Sequence, residues 1–399
     1  MPRIITQTLP IFLTLTLLAG SAAAQIAPSA VDSPAAPRLG PGTITRYRTG
    51  AVITAKNGAV RNIKAMVAAP LECPEQTVQT VEEDVSPTVT GFDYRLLPGD
   101  GARQMLIFIP NLPSGAEARA VITYEVVTHT ILPPEDPSLL IEPNRRDREA
   151  KQYLGPSPFI DVGHRKIKKA VAEALAALEE TESDESPDEA DEPTDAKESV
   201  DAEDDATPAN EGGAAKTPAT TVAAAETPSS EESAAAPDAT DESPSAEQAV
   251  ATAEPTAWQR VEALYDYAID HVEYEEGVDK SSVQVLQDGV GDCQAIGALF
   301  VAMCRTAKIP ARLVWVHEHQ YAEFYLTDAQ GNGYWFPVET AGTPAFGEMR
   351  IARVILQKGD NFRVPERRGE RLRYASDYLT GLPTPGGGKP GVKYIRGMQ

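Results

Sequence analysis

One segment of the sequence cannot fold by itself, and it determines how the rest must be organised. From Glu179 to Glu254 there are 24 acidic residues against two lysines, and there is no Phe, Tyr or Trp. A chain of this composition buries too little apolar surface to offset its conformational entropy. We therefore predict a disordered acidic linker over 179–254, with folded structure on both sides of it.

Nearly all of the net charge resides in this linker. The 399 residues carry a formal net charge of −23, of which the linker supplies 24 negative and 2 positive charges, or −22. The remainder is close to neutral, so the acidic balance says nothing about the substrate of the folded part. Because no basic domain is present, apart from five arginines between 363 and 373, we expect no nucleic-acid partner.

The first residues have the three parts of an export signal. Arg3 supplies a positive charge, Ile11 to Leu18 form an apolar stretch, and the alanines at 22–24 suit cleavage. We predict a signal peptide over 1–24, a linker over 25–42 and a periplasmic or extracellular location, with an uncleaved anchor as the alternative. No later run reaches ~18 apolar residues, so no integral membrane span is expected.

The part of the chain over 43–150 is predicted to form an all-β sandwich. Short β-branched runs that partly alternate are separated by turn signals at 57–58, 98–101 and 113–115. Regular short strands with such turns are typical of an antiparallel sandwich. No cluster of histidines or charges converges there, which leaves support or recognition as its role. The predicted strands are 52–54, 77–81, 88–96, 104–109 and 118–127.

Helical signals flank the acidic linker on both sides. Apolar residues recur at helical spacing from Ile167 to Leu178, and a second apolar stripe begins at Trp258. The two helices can belong to one domain that the linker interrupts. We accordingly divide the remaining chain into the first helix of a catalytic domain, the rest of that domain and a flexible tail, over 151–178, 255–380 and 381–399.

Cys293 is placed where a thiol becomes nucleophilic. A helix is predicted from Asp292 to about Ala307 with Asp292 as its N-cap, so Cys293 lies in the first turn. Unpaired N–H groups and the positive end of the helix dipole stabilise a thiolate there. Gly291 would let the backbone approach a substrate closely. Cys304 would lie about 16 Å further along the same helix, beyond disulfide reach of Cys293.

The strands that follow this helix bring a histidine and an acid. Runs 311–316, 319–326 and 334–339 are predicted strands, and a tight turn at His317-Glu318 joins the first two. A thiol at a helix start, a histidine entering one strand and a carboxylate ending the next are the groups of a thiolate–imidazolium pair with an orienting acid. The candidate catalytic residues are therefore Cys293, His319 and Glu339.

Five short motifs of this region resemble the transglutaminase-like superfamily. Gly-Asp-Cys at 291–293 is similar to the family's G-x-C, and ALFVAMCR at 298–305 followed by IPAR at 309–312 is similar to its LFVALCR and GIPAR stretches. HQYAE at 319–323 and YWFPVET at 334–340 resemble HAWVE and WVPVDPT. The match is best over 258–340 and extends to about Leu379. Glu339 stands where the family has Asp, and Tyr321 where it commonly has Trp.

The resemblance implies an α+β fold with a papain-like core, preceded here by the β sandwich and interrupted by the acidic linker. It implies Cys293 as nucleophile, His319 as general base and Glu339 in the position of the orienting acid. No cofactor and no metal are implied. The substrate would be a protein or peptide, for example a cell-envelope peptide, while the oligomeric state is not indicated.

Each of these residues also has a simpler interpretation. Cys293 could be an inert buried thiol, His319 could merely begin a strand, and His317 is a rival base two residues earlier. Glu323 is interpreted as structural, and Cys304 as a core residue. A metal site on Cys293 and the two histidines has no supporting C-x-x-C or H-x-x-x-H spacing.

The sequence thus predicts an exported cysteine enzyme that performs acyl transfer or hydrolysis at peptide or glutamine amides through a thioester. Hydrolysis by a protease or amidase is favoured over crosslinking because water is always present, whereas crosslinking needs a site for the amine. The alternative is a catalytically silent transglutaminase-like module that binds protein or cell-wall peptide at the envelope.

Overall fold

The computed structural model describes residues 33–184 and 254–399, apart from Pro98, Asp100, Arg145 and Ser376. The predicted signal peptide and residues 185–253 of the predicted acidic linker lie outside the described residues. Residues 33–181 and 254–399 belong to one unit. The two sides of the linker therefore contribute to a common structure.

The chain begins with six strands. The first already starts inside the segment predicted as a linker over 25–42, because its residues pair with the end of the sixth strand. A single 3-10 turn, Pro137–Leu139, follows the sixth strand. The strands are β1 (Arg38–Thr54), β2 (Val60–Ala69), β3 (Gln76–Val85), β4 (Gly91–Leu96), β5 (Arg103–Leu112) and β6 (Glu117–Leu132).

Five helices and seven short strands come next. The helices are α1 (Arg148–Gln152), α2 (Arg165–Asp184), α3 (Ala257–Asp270), α4 (Ser282–Asp288) and α5 (Cys293–Thr306) within the described residues. The strands are β7 (Glu273–Tyr274), β8 (Val290–Gly291), β9 (Ala311–Val316), β10 (His319–Thr327), β11 (Gly333–Glu339), β12 (Ala345–Phe346) and β13 (Ile355–Lys358). Helix α2 runs six residues past the predicted helix end at Leu178, because the next Pro or Gly is Pro187. Residues 179–184 are therefore helical rather than disordered.

The final residues form two further strands, β14 (Tyr378–Pro383) and β15 (Gly391–Met398). The flexible tail predicted over 381–399 is therefore wrong. Strand β15 pairs with β1, from Tyr47↔Met398 to Thr54↔Gly391, and β14 pairs with β2. Val392 and Tyr394 are two residues apart on β15, so their side chains lie on the same face of the strand. Both pack against the hydrophobic core formed by the first six strands. The Gly- and Pro-rich stretch between the two strands is the turn that joins them.

Eight strands thus form two four-stranded antiparallel sheets. One sheet has the order β15-β1-β6-β3 and the other β14-β2-β5-β4. Their inner faces share one hydrophobic core, which contains Tyr47, Ile63, Ile107, Ile122 and Tyr124. We refer to these two sheets as the sandwich, as predicted for this part of the chain, although its last two strands come from the opposite end of the sequence.

A five-stranded antiparallel sheet of order β12-β11-β10-β9-β13 forms the second part of the fold; we call it the five-stranded sheet. Helix α5 packs on it with residues 295–305 all buried. A helix that is apolar all round is stable only inside a protein. The ring of Trp258 on α3 makes edge contacts with Phe324, Phe336 and Phe346 at centroid distances of 5.5, 5.2 and 5.0 Å.

A buried ion pair fixes the end of α5 against the five-stranded sheet. Arg305 is 2% exposed and donates to Asp360 Oδ2 over 2.7 Å and to the carbonyl of Ala311 over 2.8 Å. Removal of one partner of such a pair leaves an uncompensated buried charge and costs several kcal/mol, on the order of 3–5. The start of α5, where Cys293 lies, is therefore positioned by a helix that is held at its other end.

Candidate active site

Cys293 is the first residue of α5, as the sequence predicts. Asp292 caps the helix, and its carboxylate accepts the N–H groups of Gln294 and Ala295 over 2.9 and 3.0 Å. The carbonyl of Asp292 accepts the N–H groups of Ala295 and Ile296. None of these four bonds uses the N–H of Cys293. The thiol therefore stands beside a free backbone donor at the positive end of a buried helix.

Gly291 is needed for the packing of the helix start. A Cβ built on Gly291 would lie 2.6 Å from Val285 Cγ2 and 2.8 Å from the Cβ of Ala295. Any larger residue would push α4 away from the first turn of α5. The approach of a substrate to Gly291 stays a prediction.

His319 and Glu339 meet across neighbouring strands of the five-stranded sheet. His319 begins β10, after a turn in which Glu318 has a φ of 55°, and Glu339 ends β11. The Nε2 atom of His319 lies 2.8 and 2.9 Å from the two carboxylate oxygens of Glu339. Arg353 Nη1 lies 3.3 Å from Glu339 Oε2. The extra methylene of Glu relative to Asp thus does not prevent the bond to the imidazole.

The side chain of Cys293 lies close enough to the imidazole of His319 to influence its ionisation. Burial disfavours the charged ring, but the interactions of the ring with Cys293 and with the carboxylate of Glu339 outweigh it and raise the pKa of His319 from 6.5 to about 9. Both hydrogen bonds to Glu339 use Nε2 of the ring. The structure therefore brings together all three candidate catalytic residues.

Cys293 and His319 open into a cavity of about 490 Å³. Two of its walls were not expected from the sequence: Tyr47 lies on β1 and Arg396 on β15, so the sandwich closes one side of the site. The guanidinium of Arg396 pairs with Asp377. No local pattern indicates this wall, because Tyr47 and Arg396 lie in segments predicted as a supporting sandwich and as a tail. The lining residues are Tyr47, Cys293, Gln294, Trp315, Val316, His317, Glu318, His319, Leu356, Tyr374 and Arg396.

The rival candidates are placed differently. His317 lines the same cavity, but its ring packs edge-on against Tyr47 at 5.4 Å and its Nε2 lies 3.8 Å from Glu318. Glu323 bonds Arg312 and Lys358 in the interior and does not line the cavity. Cys304 is fully buried, and burial raises the pKa of its thiol. All three cysteines of the chain are free thiols.

A separate cavity of about 380 Å³ lies on the sandwich, lined by residues such as Lys64, Phe92 and Phe108, and by none of the three candidate residues. In the described parts of the chain, no set of three or more His, Cys, Asp or Glu side chains is arranged to hold a metal ion. No helix over those same residues is both long and apolar enough to cross a bilayer.

Comparison with known proteins gives one family and two remote structures. Residues 244–340 match the model of the transglutaminase-like superfamily. No curated protein matches the sequence. The crystal structure of a "putative cysteine protease" from Cytophaga hutchinsonii is similar over 90% of this chain and 92% of that one, with 11% identity and a TM-score of 0.42. A "putative protease" from Parabacteroides distasonis is similar over 88% of this chain and 47% of that one, with 10% identity and a TM-score of 0.21. TM-scores this low support no statement about function.

Proposed function

We propose, from the premise that residues 244–340 belong to the transglutaminase-like superfamily, that this chain is an exported cysteine enzyme. Its reaction is acyl transfer or hydrolysis at peptide or glutamine amides through a thioester on Cys293. The observation that carries the proposal is the position of the imidazole of His319, which hydrogen-bonds the carboxylate of Glu339 and lies close enough to the thiol of Cys293 to interact with it.

Each of the three side chains has its own part in the proposed reaction. The sulfur of Cys293, as thiolate, attacks the carbonyl carbon of the substrate amide. With a pKa of about 9, His319 is an imidazolium near neutral pH and can protonate the departing amine. As neutral imidazole it then takes a proton from the water or amine that attacks the thioester. Glu339 holds the ring through Nε2 and stabilises its charge.

The packing around the site supports a papain-like core as part of this proposal. A thiol at the start of a buried helix faces a histidine on the sheet against which the helix packs, and the acid lies on the adjacent strand. We assign the part beginning at α1 to this core and the sandwich to the wall of its cavity. Both oxygens of Glu339 lie within hydrogen-bond distance of the imidazole, which supports Glu as a replacement for Asp.

Hydrolysis is the form of the reaction that we favour, because the acceptor is then water and needs no site of its own. Crosslinking would require a site that holds an amine beside the thioester. The substrate class is a protein or peptide amide, with cell-envelope peptides as candidates, and the place of action is the periplasm or the outside of the cell. The proposed reaction uses no cofactor.

A silent binding module with the same fold is the competing interpretation. It would keep Cys293 and His319 without using them, and its thiol would react as an ordinary cysteine. The position of His319 beside both Cys293 and Glu339 counts against it, since a ring with no chemical role needs neither a thiol nor a carboxylate neighbour at this site.

Alkylation by iodoacetamide as a function of pH separates the two interpretations. We expect Cys293 of the wild type to react at pH 6 at least ~10-fold faster than in His319→Ala, because the imidazolium stabilises the thiolate. Mass spectrometry locates the modified cysteine. Cys73 serves as an internal control, since burial raises the pKa of its thiol and it should react slowly in both proteins.

The enzyme proposal is abandoned if Cys293 reacts only above pH 8 and at the same rate in both proteins. If the thiol is activated, casein and peptidoglycan peptides are incubated with wild type and Cys293→Ala. Product masses then distinguish hydrolysis, which adds water, from crosslinking, which releases ammonia.

A further inference from the structure

Gln294 directly follows the proposed nucleophile and lines the same cavity. Its backbone N–H belongs to the helix cap on Asp292. Its side-chain oxygen Oε1 accepts a hydrogen bond from Arg373 Nη2 over 3.0 Å. Neither the cap nor the resemblance to a family assigns a role to the side chain of this residue.

The contact with Arg373 fixes which end of the amide is free. A guanidinium has only donors, so the atom of Gln294 that meets it must be the oxygen. The NH₂ group then points away from Arg373. Within the described residues, none of the hydrogen bonds uses Gln294 Nε2 and this atom is not among the buried polar atoms without a partner. It is therefore an accessible pair of N–H donors on a cavity-lining residue.

Arg373 is itself held rigidly. Its Nη1 donates to Asp279 Oδ1 over 2.9 Å, and its Nη2 pairs with the second oxygen of the same carboxylate. The guanidinium lies 4.1 Å from the ring centroid of Phe159 and 5.5 Å from that of Trp315. The side chain is only 11% exposed. A bidentate and stacked arginine of this kind loses little further freedom when it orients a neighbour.

We infer that the side chain of Gln294 donates to the oxyanion formed in acyl transfer, together with the N–H of Cys293, and that Arg373 and Asp279 are its positioning residues. The inference rests on the proposed function, because it needs a nucleophilic Cys293. Cys293 and Gln294 are adjacent in the chain and line the same cavity, and two preorganised donors in one site can stabilise the charge on a carbonyl oxygen.

The step that these donors assist is the attack on the acyl group. The thiolate of Cys293 forms a C–S bond to the carbonyl carbon, and the π electron pair of the carbonyl moves onto oxygen. This oxygen accepts from Gln294 Nε2 and from the N–H of Cys293. When the C=O bond re-forms, the bond to the leaving group breaks, and for an amide the proton goes from His319 to the departing nitrogen.

Two small probes test this without knowledge of the natural substrate. p-Nitrophenyl acetate acylates Cys293 through a tetrahedral oxyanion, whereas iodoacetamide alkylates the same sulfur by displacement of iodide with no oxyanion. In the full chain we expect Gln294→Ala to slow acylation about 100-fold and to change alkylation by less than about twofold. Gln294→Glu, of the same shape and still able to accept from Arg373, should lose acylation to the same extent. Gln287→Ala, an exposed glutamine of α4, is the matched control and should change neither rate.

A double-mutant cycle tests the positioning residue. Arg373→Ala frees the amide to rotate, so acylation should fall about tenfold in the wild-type background and not at all in Gln294→Ala. A merely structural role for Arg373 would lower the rate in both backgrounds.

The outcomes separate the two proposals. If the wild type is acylated at Cys293 and Gln294→Ala leaves the acylation rate unchanged, the role of Gln294 is refuted while the enzyme stands. If acylation and alkylation fall together in Gln294→Ala, the residue acts on the thiol and the oxyanion role is likewise refuted. If neither probe reacts faster with wild-type Cys293 than with Cys73, it is the proposed function that fails.

Discussion

Two glutamates on neighbouring strands, Glu323 and Glu339, have the same chemistry and opposite surroundings. Glu323 on β10 has a side chain 1% exposed between two cations, with Arg312 Nη2 at 2.7 Å and Lys358 Nζ at 2.8 Å. Glu339 on β11 is 8% exposed and holds an imidazole at the rim of the cavity. The sheet therefore carries one carboxylate that is enclosed on all sides and one whose partner faces solvent.

The enclosed group joins the two parts of the fold. Lys358 pairs with Glu75, which precedes β3 of the sandwich, as well as with Glu323. The guanidinium of Arg312 lies 3.8 Å from the ring centroid of Trp335. Burial disfavours ionisation of Glu323, but the charges of Lys358 and Arg312 outweigh it and hold its pKa below the usual value. Every charge in this cluster thus depends on the others.

Position along one strand produces the difference. His319 and Glu323 point to the same face of β10, because side chains alternate, yet four residues separate them by about 13 Å. At one end of the strand that face opens into the cavity, and further along it is covered by the sandwich. A carboxylate on this sheet is therefore structural or chemical according to what covers it.

The largest effect is expected for Glu323→Gln. The variant keeps the shape of the side chain but leaves Arg312 without a counter-charge, and removal of one partner from a buried pair costs about 3–5 kcal/mol. We expect urea denaturation to show this loss in the free energy of unfolding, while alkylation of Cys293 in the folded fraction stays at the wild-type rate. Glu348→Gln, which breaks the more exposed pair with Arg350, should lower the free energy of unfolding far less, because solvent screens an exposed pair.

The opposite result would erase the contrast between the two glutamates. If Glu323→Gln slowed alkylation without destabilising the protein, Glu323 would be part of the chemistry, as its place in the family motif allows. The structural interpretation of Glu323 would then have to be withdrawn.

The site was more predictable from sequence than the fold around it. Cys293 follows a residue that caps a helix, His319 follows a tight turn, and Glu339 ends a short strand, so each position has a local signal within a few residues. The strand β2 was missed for a local reason as well: Asn62 has a φ of 51°, which interrupts the alternation on which strand prediction relies.

What the sequence could not reveal depends on contacts far apart in the chain. Strand β15 pairs with β1 across more than 300 residues, as in Thr54↔Gly391, and no local pattern encodes such a partner. The cavity wall formed by Tyr47 and Arg396 follows from that pairing. The orientation of Gln294 likewise needs Arg373, which in sequence appears only as one of several arginines.

An intermediate effect is expected for Glu339→Gln. Since Glu339 helps raise the pKa of His319 to about 9, its loss should return that pKa toward 6.5 and slow alkylation of Cys293 at pH 7 about tenfold. A raised pKa contributes stability that is complete below about pH 6.5 and is lost as pH rises through about 9. The variant should therefore be less stable than wild type only below about pH 9.

Titration of the imidazole signals by NMR measures this shift, with His319→Ala used to assign the resonance and the other histidines as internal references. An unchanged titration in Glu339→Gln would mean that the carboxylate does not set the charge of the ring. The proposed orienting role of Glu339 would then be lost, even if the variant were inactive.

The smallest effect is expected for Arg353→Ala. Arg353 approaches Glu339 Oε2 over 3.3 Å with a side chain 29% exposed, and a pair this open to solvent contributes less than about 1 kcal/mol. Because the cation competes with His319 for the carboxylate, its removal should raise the pKa of the imidazole slightly, opposite in sign to Glu339→Gln. We expect alkylation at pH 7 to change by less than about threefold. A loss of stability comparable with that of Glu323→Gln would instead mean that Glu339 lies in a second enclosed ion cluster, and the distinction between the two glutamates would not hold.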